Sequence, residues 1–181
     1  FYKFPNTTLR KSGSTFSVMS YNVRLFNKYR WIEKPNISDE IEELIIQENP
    51  DILCVQEYSS EMAPELKGYK FRYIYPNPSK KGKSTVAIFS KLKINGKGFI
   101  DFDNSSNSGI YIDIEFRKQK LRVYNLHLES FKLDRIDSIT NSSFSKNFKL
   151  KFDEVSSRQI EQINFFKKTD KFNDNPSIIA V

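Results

Sequence analysis

The hydrophobic and polar positions of this chain change their spacing along its length, and each change predicts an element. Thr15 to Tyr21 (TFSVMSY) reads as a first strand, with Asn22 at or just past its end. Ile41, Leu44 and Ile45 then recur at helical spacing, with Ser38 as N-cap and Asp39 and Glu40 in the first turn, where carboxylates suit the helix dipole. Asn49-Pro50 stops that helix. Asp51-Ile52-Leu53-Cys54-Val55-Gln56 follows as an unbroken apolar run, the pattern of a strand buried on both faces. Strand, helix and strand imply a crossover between parallel or near-parallel strands.

From Tyr69 the spacing shortens. Tyr69–Tyr75, Ser84–Ser90, Ile94–Phe102, Gly109–Phe116 and Leu121–Leu128 read as successive strands between Pro, Gly and Asn turns, which predicts an antiparallel meander. Residues 24–37, with Trp31 and Pro35, read as a structured loop, and 130–152 as a long polar loop. Asp153 to Lys168 carries Val155, Ile160, Ile163 and Phe166 at helical spacing. Ser177 to Val181 then opens another buried strand. Residues 1–14 are a polar lead-in ahead of a single domain spanning 15–181.

Composition narrows the function classes. At 181 residues and 38% hydrophobic content the chain suits one domain. No apolar run approaches the ~18 residues of a membrane span, although a start at Phe1 leaves room for a signal or anchor upstream. One cysteine, Cys54, excludes a disulfide framework and a multi-cysteine zinc site, and inside an apolar run it reads as a small core residue. The net charge of +7 favours anionic partners: nucleic acid, phosphorylated small molecules or an acidic membrane. Abundant Lys, Asn, Ile and Phe are what AT-rich bacterial genomes produce. The Asn-x-Ser/Thr triplets at Asn6, Asn36, Asn104 and Asn141 are therefore read as chance.

The candidate chemistry lies at strand ends. Glu57 emerges with Gln56 at the carboxyl end of the buried run, where α/β sheets tend to place ligands, and a carboxylate there needs a cation or donors. Asn22 ends the first strand in the same way. It caps a turn, or it faces the same crevice, where an amide oxygen and a carboxylate suit Mg²⁺. The single histidine, His127, shares a strand face with Val123 and Asn125, while Tyr124, Leu126 and Leu128 share the other. A core histidine and a site histidine both fit that pattern. Lys80-Lys81-Gly82-Lys83-Ser84 ends like a phosphate-binding loop, but Asn77 stands where its first glycine belongs and a strand follows instead of a helix. It reads as a solvated basic turn, whose Lys81 and Lys83 remain candidates for touching a polyanion.

Four of these segments carry a family resemblance. Ser20-Tyr21-Asn22-Val23-Arg24, Asp51 to Glu57, Thr85-Val86-Ala87-Ile88-Phe89-Ser90-Lys91 and Asn125-Leu126-His127-Leu128 resemble, in order, motifs of the endonuclease/exonuclease/phosphatase superfamily. Its members include deoxyribonucleases, inositol-polyphosphate 5-phosphatases and bacterial sphingomyelinases. The resemblance implies a four-layer α/β sandwich, two mixed sheets face to face with helices outside. It implies a phosphoester hydrolase using Mg²⁺, or Mn²⁺ in its place, through in-line attack of water on phosphorus. Glu57 would be the principal metal ligand, and Asn22 would help hold the metal or the phosphate. His127 would donate to the phosphate. Gln56 and Asn125 would support them, and Arg24 would touch phosphate.

The resemblance also sets further expectations. The substrate would be nucleic acid or a phospholipid head group. The protein would be a bacterial monomer, with a membrane tether ahead of residue 1. The family continues from the Ile178 strand into a Gly-Asp-Phe-Asn motif and a later Asp-His pair, none of which occurs before Val181. The chain is thus expected to be the front two-thirds of a catalytic domain, inactive alone for want of a general base. The rival expectation is a non-catalytic binding module that keeps the fold.

Overall fold

The computed structural model describes residues 15–75, 85–103, 105–130, 141–171 and 173–181, with no side-chain detail for 141–147. Among the described residues, eight strands form two four-stranded sheets. The first holds β1 (Val18–Asn22), β2 (Ile52–Tyr58), β4 (Thr85–Ser90) and β3 (Phe71–Tyr75), in that spatial order. The second holds β5 (Ile94–Asp101), β6 (Ser108–Phe116), β7 (Gln119–Leu126) and β8 (Ser177–Ala180). Both are mixed, because β1 runs parallel to β2 and β8 parallel to β7, while the remaining pairs are antiparallel. The expected single meander is therefore divided. β3 and β4 complete the first sheet, and only β5 to β7 meander in the second.

Strand alternation builds three apolar interfaces. Leu53 and Val55 of β2, with Ala87 and Phe89 of β4, face Ile41 and Ile45 of helix α1 (Ile37–Glu48). Ile52, Cys54, Val86 and Ile88 point the other way, onto Ile110, Ile112, Ile114 and Val123 of the second sheet. Tyr124 and Leu126 leave the far face of that sheet and meet Phe166 of helix α2 (Asn141–Asp170). Helix, sheet, sheet and helix are the four layers of an α/β sandwich. Cys54 is fully buried in the middle interface, and burial pushes its thiol up to about 12, which leaves it an inert core residue.

Three local expectations need correction. The N-cap of α1 is Asn36, and Ser38 lies inside the first turn, its hydroxyl donating to the Met62 carbonyl at 3.1 Å. Asn49 does end the helix, in a left-handed conformation with φ 45°, and Lys91 Nζ donates to both its carbonyl and its side-chain oxygen. The 130–152 segment is not all loop, since α2 starts at Asn141. The inward stripe of α2 also differs from the expected one. Val155, Gln159, Gln162 and Phe166 turn towards the sheet, whereas Ile160 and Ile163 are exposed. Among the described residues no helix is long and apolar enough to cross a membrane.

Candidate active site

The site forms where three chain segments end on one rim of the sandwich. β2 does not run regularly to its end. Val55 pairs with Ala87, but the next pair is Tyr58 with Thr85, so Gln56 and Glu57 together stand against Val86. This is a β-bulge, and Glu57 holds φ 50°, a left-handed value that a residue with a Cβ avoids. Regular alternation would send Glu57 to the α1 side, opposite Gln56. The bulge re-aims it instead, and its carboxylate meets Asn22 and His127.

Asn22 Nδ2 donates to Glu57 Oε1 at 3.0 Å, while its Oδ1 accepts from the backbone N–H of Arg24 at 3.0 Å. The two partners fix the amide orientation, because the carboxylate needs a donor and the N–H an acceptor. Asn22 therefore presents its NH₂ group to Glu57. The Arg24 N–H lies in a turn of four left-handed residues, Arg24 to Asn27, with φ between 44° and 60°. Such a run is costly without glycine, and burial of Phe26 against Tyr58 anchors it. Beside Asn22, a cavity of about 350 Å³ is lined by Tyr21, Arg24, Asn27, Trp31 and Leu44, among others. The Arg24 guanidinium lies over the Trp31 ring at 4.6 Å.

His127 follows β7 directly, and its backbone N–H donates to the Ser108 carbonyl at 3.0 Å. Its side chain is 7% exposed, and Nε2 stands 3.9 Å from Glu57 Oε1, beyond hydrogen-bond range. Burial lowers its pKa, outweighing the opposite pull of Glu57 and Glu129, so the imidazole is neutral at pH 7. Nδ1 is buried with no partner among the described residues.

Gln56 and Asn125 sit behind this trio and lock the sheets together. Asn125 Nδ2 donates to the carbonyls of Val55 and Ala87 at 2.9 Å each, and its Oδ1 accepts from Gln56 Nε2 at 2.6 Å. Both side chains are buried. A polar amide from the second sheet thus binds backbone of the first at the position where the bulge breaks the strand pairing.

Two residues of the site were not legible in the sequence. Gln159 Nε2 donates to the Glu129 carbonyl at 2.7 Å, and Gln162 Oε1 accepts the Glu129 N–H at 2.8 Å. α2 thereby clamps the backbone two residues past His127. Nothing in a helical stripe of Val, Gln, Gln and Phe announces that clamp. Of the sequence candidates, Asn22, Glu57 and His127 come together, with Gln56 and Asn125 behind them and Arg24 on the neighbouring cavity wall. Lys81 and Lys83 lie outside the described residues.

The trio offers one carboxylate to a cation. Among the described residues no cluster of three or more His, Cys, Asp or Glu side chains converges, so no all-protein cage is present among them. A single carboxylate completed by water and phosphate oxygens fits Mg²⁺, which keeps several waters and takes one or two carboxylates. Asn22 and His127 both face Glu57 Oε1.

Comparison with known proteins agrees with this architecture. No curated protein matches. Among solved structures, TDP2 from D. rerio complexed with a single-strand DNA product shares 19% identity at a TM-score of 0.61, over 91% of this chain and 58% of that one. SmcL shares 18% at 0.58, over 91% of this chain and 61% of that one. A β-hairpin deletion mutant of beta toxin from Staphylococcus aureus shares 19% at 0.57, over 92% and 66%. The chain thus spans less than two thirds of each of these structures, and at such identity they share its fold. The family model described as Endonuclease/Exonuclease/phosphatase family matches residues 19–180, nearly the whole chain, and the chain belongs to that family.

Proposed function

We propose that the protein containing this chain is an Mg²⁺-dependent phosphoester hydrolase, with Glu57 as metal ligand and His127 as the donor to the scissile phosphate. Family membership supports phosphoester hydrolysis as the general chemistry. The observation that carries the finer reading is the convergence of Asn22, Glu57 and His127 from three separate segments, with Glu57 held in a left-handed conformation. Strain of that kind persists where the surroundings impose it, and functional sites are where it collects.

The chain's own residues divide the work. Glu57 holds the cation, and Asn22 keeps that carboxylate oriented through its NH₂ group. Its second N–H is available to a phosphate oxygen. The neutral imidazole of His127, buried and held by its backbone, donates to a non-bridging oxygen as charge develops there. The chemistry supplied by bound Mg²⁺, or by Mn²⁺ in its place, is polarisation of the phosphoryl oxygen and stabilisation of the leaving oxyanion. Hydrolysis is by in-line attack of water.

The substrate in this reading is a phosphodiester of nucleic acid or of a phospholipid head group. The net charge of +7 suits either polyanion. The Arg24–Trp31 wall beside Asn22, and the single-strand DNA product bound to one structural relative, favour nucleic acid. A panel of single-stranded DNA, phosphoinositides and sphingomyelin, each assayed with Mg²⁺ and with EDTA, decides it. Metal-dependent release from one substrate class is the expected result. No hydrolysis of any of them by the whole protein would overturn the proposal in favour of a non-catalytic binding module.

A further inference from the structure

Two buried polar atoms on the side of the middle interface lack partners among the described residues, at the start of β6 and just past the end of β7: Ser108 Oγ and His127 Nδ1. The β6–β7 register pairs Gly109 with Leu126 and Ile110 with Asn125, so the next pair outward is Ser108 with His127. The His127 N–H to Ser108 carbonyl bond at 3.0 Å continues the ladder to that pair. Ser108 follows the alternation of Ile110, Ile112 and Ile114, and His127 that of Val123 and Asn125, so both side chains leave the same face. Directly opposed side chains on one face of an antiparallel pair have Cβ atoms about 4.5–5.5 Å apart. Ser108 is 1% exposed and His127 7%.

The direction of the missing bond follows from the other ring nitrogen. Nε2 faces a Glu57 carboxylate oxygen at 3.9 Å. A lone pair aimed at a carboxylate is repelled and an N–H is attracted, so a neutral ring carries its proton on Nε2. Nδ1 is then an acceptor in need of a donor, and the serine hydroxyl opposite it is a donor in need of an acceptor. Rotation about the Ser108 Cα–Cβ bond, or one intervening water, joins them.

We propose that Ser108 is a positioning residue for His127: its hydroxyl donates to Nδ1, directly or through one water, and keeps the imidazole N–H on Nε2, towards Glu57. The hydrogen bond stands on the geometry alone, and only its consequence for turnover rests on the proposed hydrolase activity. The chain contains a single histidine, so its ring nitrogens give one uncrowded set of ¹⁵N resonances. At mildly alkaline pH, wild type is expected to show the Nε2–H tautomer, with Nδ1 shifted upfield as a hydrogen-bonded acceptor. Ser108→Ala should move Nδ1 downfield, and Ser108→Thr should return it.

An Nδ1–H tautomer in wild type would overturn the proposal without any variant needing to fold. So would an Nδ1 resonance unchanged in a Ser108→Ala protein whose amide spectrum shows it folded. In the active whole protein, Ser108→Ala is expected to lower kcat about tenfold with KM unchanged, and Ser108→Thr to restore it. If the ¹⁵N shifts behave as expected while no substrate is hydrolysed, the positioning bond holds and the hydrolase reading fails.

Discussion

Asn125 and Gln56 meet through their side-chain amides at 2.6 Å, and this contact helps join the two sheets directly behind Glu57 and His127. Asn125 lies two residues before His127 on the same strand face, and Gln56 immediately precedes Glu57. The relative position of the carboxylate and the imidazole is thus set by a buried amide pair one step further in. That pair in turn closes backbone groups exposed by the bulge in β2.

Removing that lock should cost stability before it touches chemistry. Asn125→Ala loses three buried hydrogen bonds and leaves the Val55 and Ala87 carbonyls without that donor. At about 1 kcal/mol net for each of the three bonds, plus the cost of buried unpaired groups, the loss is about 3–5 kcal/mol. Urea unfolding measures it. Wild-type stability in the Asn125→Ala protein would show that the amide bridge carries no weight.

Glu57→Ala and His127→Ala are each expected to lower metal-dependent phosphoester turnover by about 10²-fold or more, and EDTA to abolish it in wild type. Steady-state assays on the substrate identified by the panel provide the test. Turnover in either variant at the wild-type level would remove that residue from the site.

Glu57 sits at φ 50°, where glycine is free of the steric penalty. Glu57→Gly should therefore hold or raise the unfolding free energy, within about 1 kcal/mol of wild type, while losing turnover. Glu57→Ala keeps the strained backbone and should be the less stable of the two. Equal stability of the two variants in urea melts would mean the bulge relaxes when the carboxylate is absent.

His127 carries a pH signature of its own. Burial lowers its pKa in the folded chain, while the unfolded chain titrates near 6.5. The unfolded state therefore takes up a proton first, and stability falls as pH drops from about 6.5 towards the folded value. It is unaffected by this group above that range. Proton NMR of the single imidazole should show a midpoint below 6.5, and His127→Gln should flatten the stability profile across the same window. A midpoint above 6.5 would mean that Glu57, rather than burial, dominates the ring.

Much of the fold was legible because strand alternation and helix stops are local. Leu53 and Val55 against Ile52 and Cys54, or Tyr124 against Val123, are assigned to faces by spacing alone, and the observed interfaces follow those assignments. The four motifs ordered Asn22, Glu57 and His127 along one chain, and residue type supplied their chemistry. Helix α2 shows where local reading stops. Ile160 and Ile163 look like its buried stripe, but Gln159 and Gln162 face inward because the Glu129 backbone needs partners there. That need arises in the segment that follows β7, thirty or more residues earlier, and no pattern within the helix encodes it.

The amino-acid sequence by itself determined the strand faces and the residue types at the strand ends, since each depends on neighbours a few positions away, while the four layers were implied by the family resemblance. The tertiary structure decided how the strands divide between two sheets, that β2 bulges at Gln56 and Glu57, and that Glu57 thereby turns from the α1 side to meet Asn22 and His127. Those outcomes depend on pairing between strands tens of residues apart. Ser108, silent in the sequence, faces His127 only because the β6–β7 register puts it there.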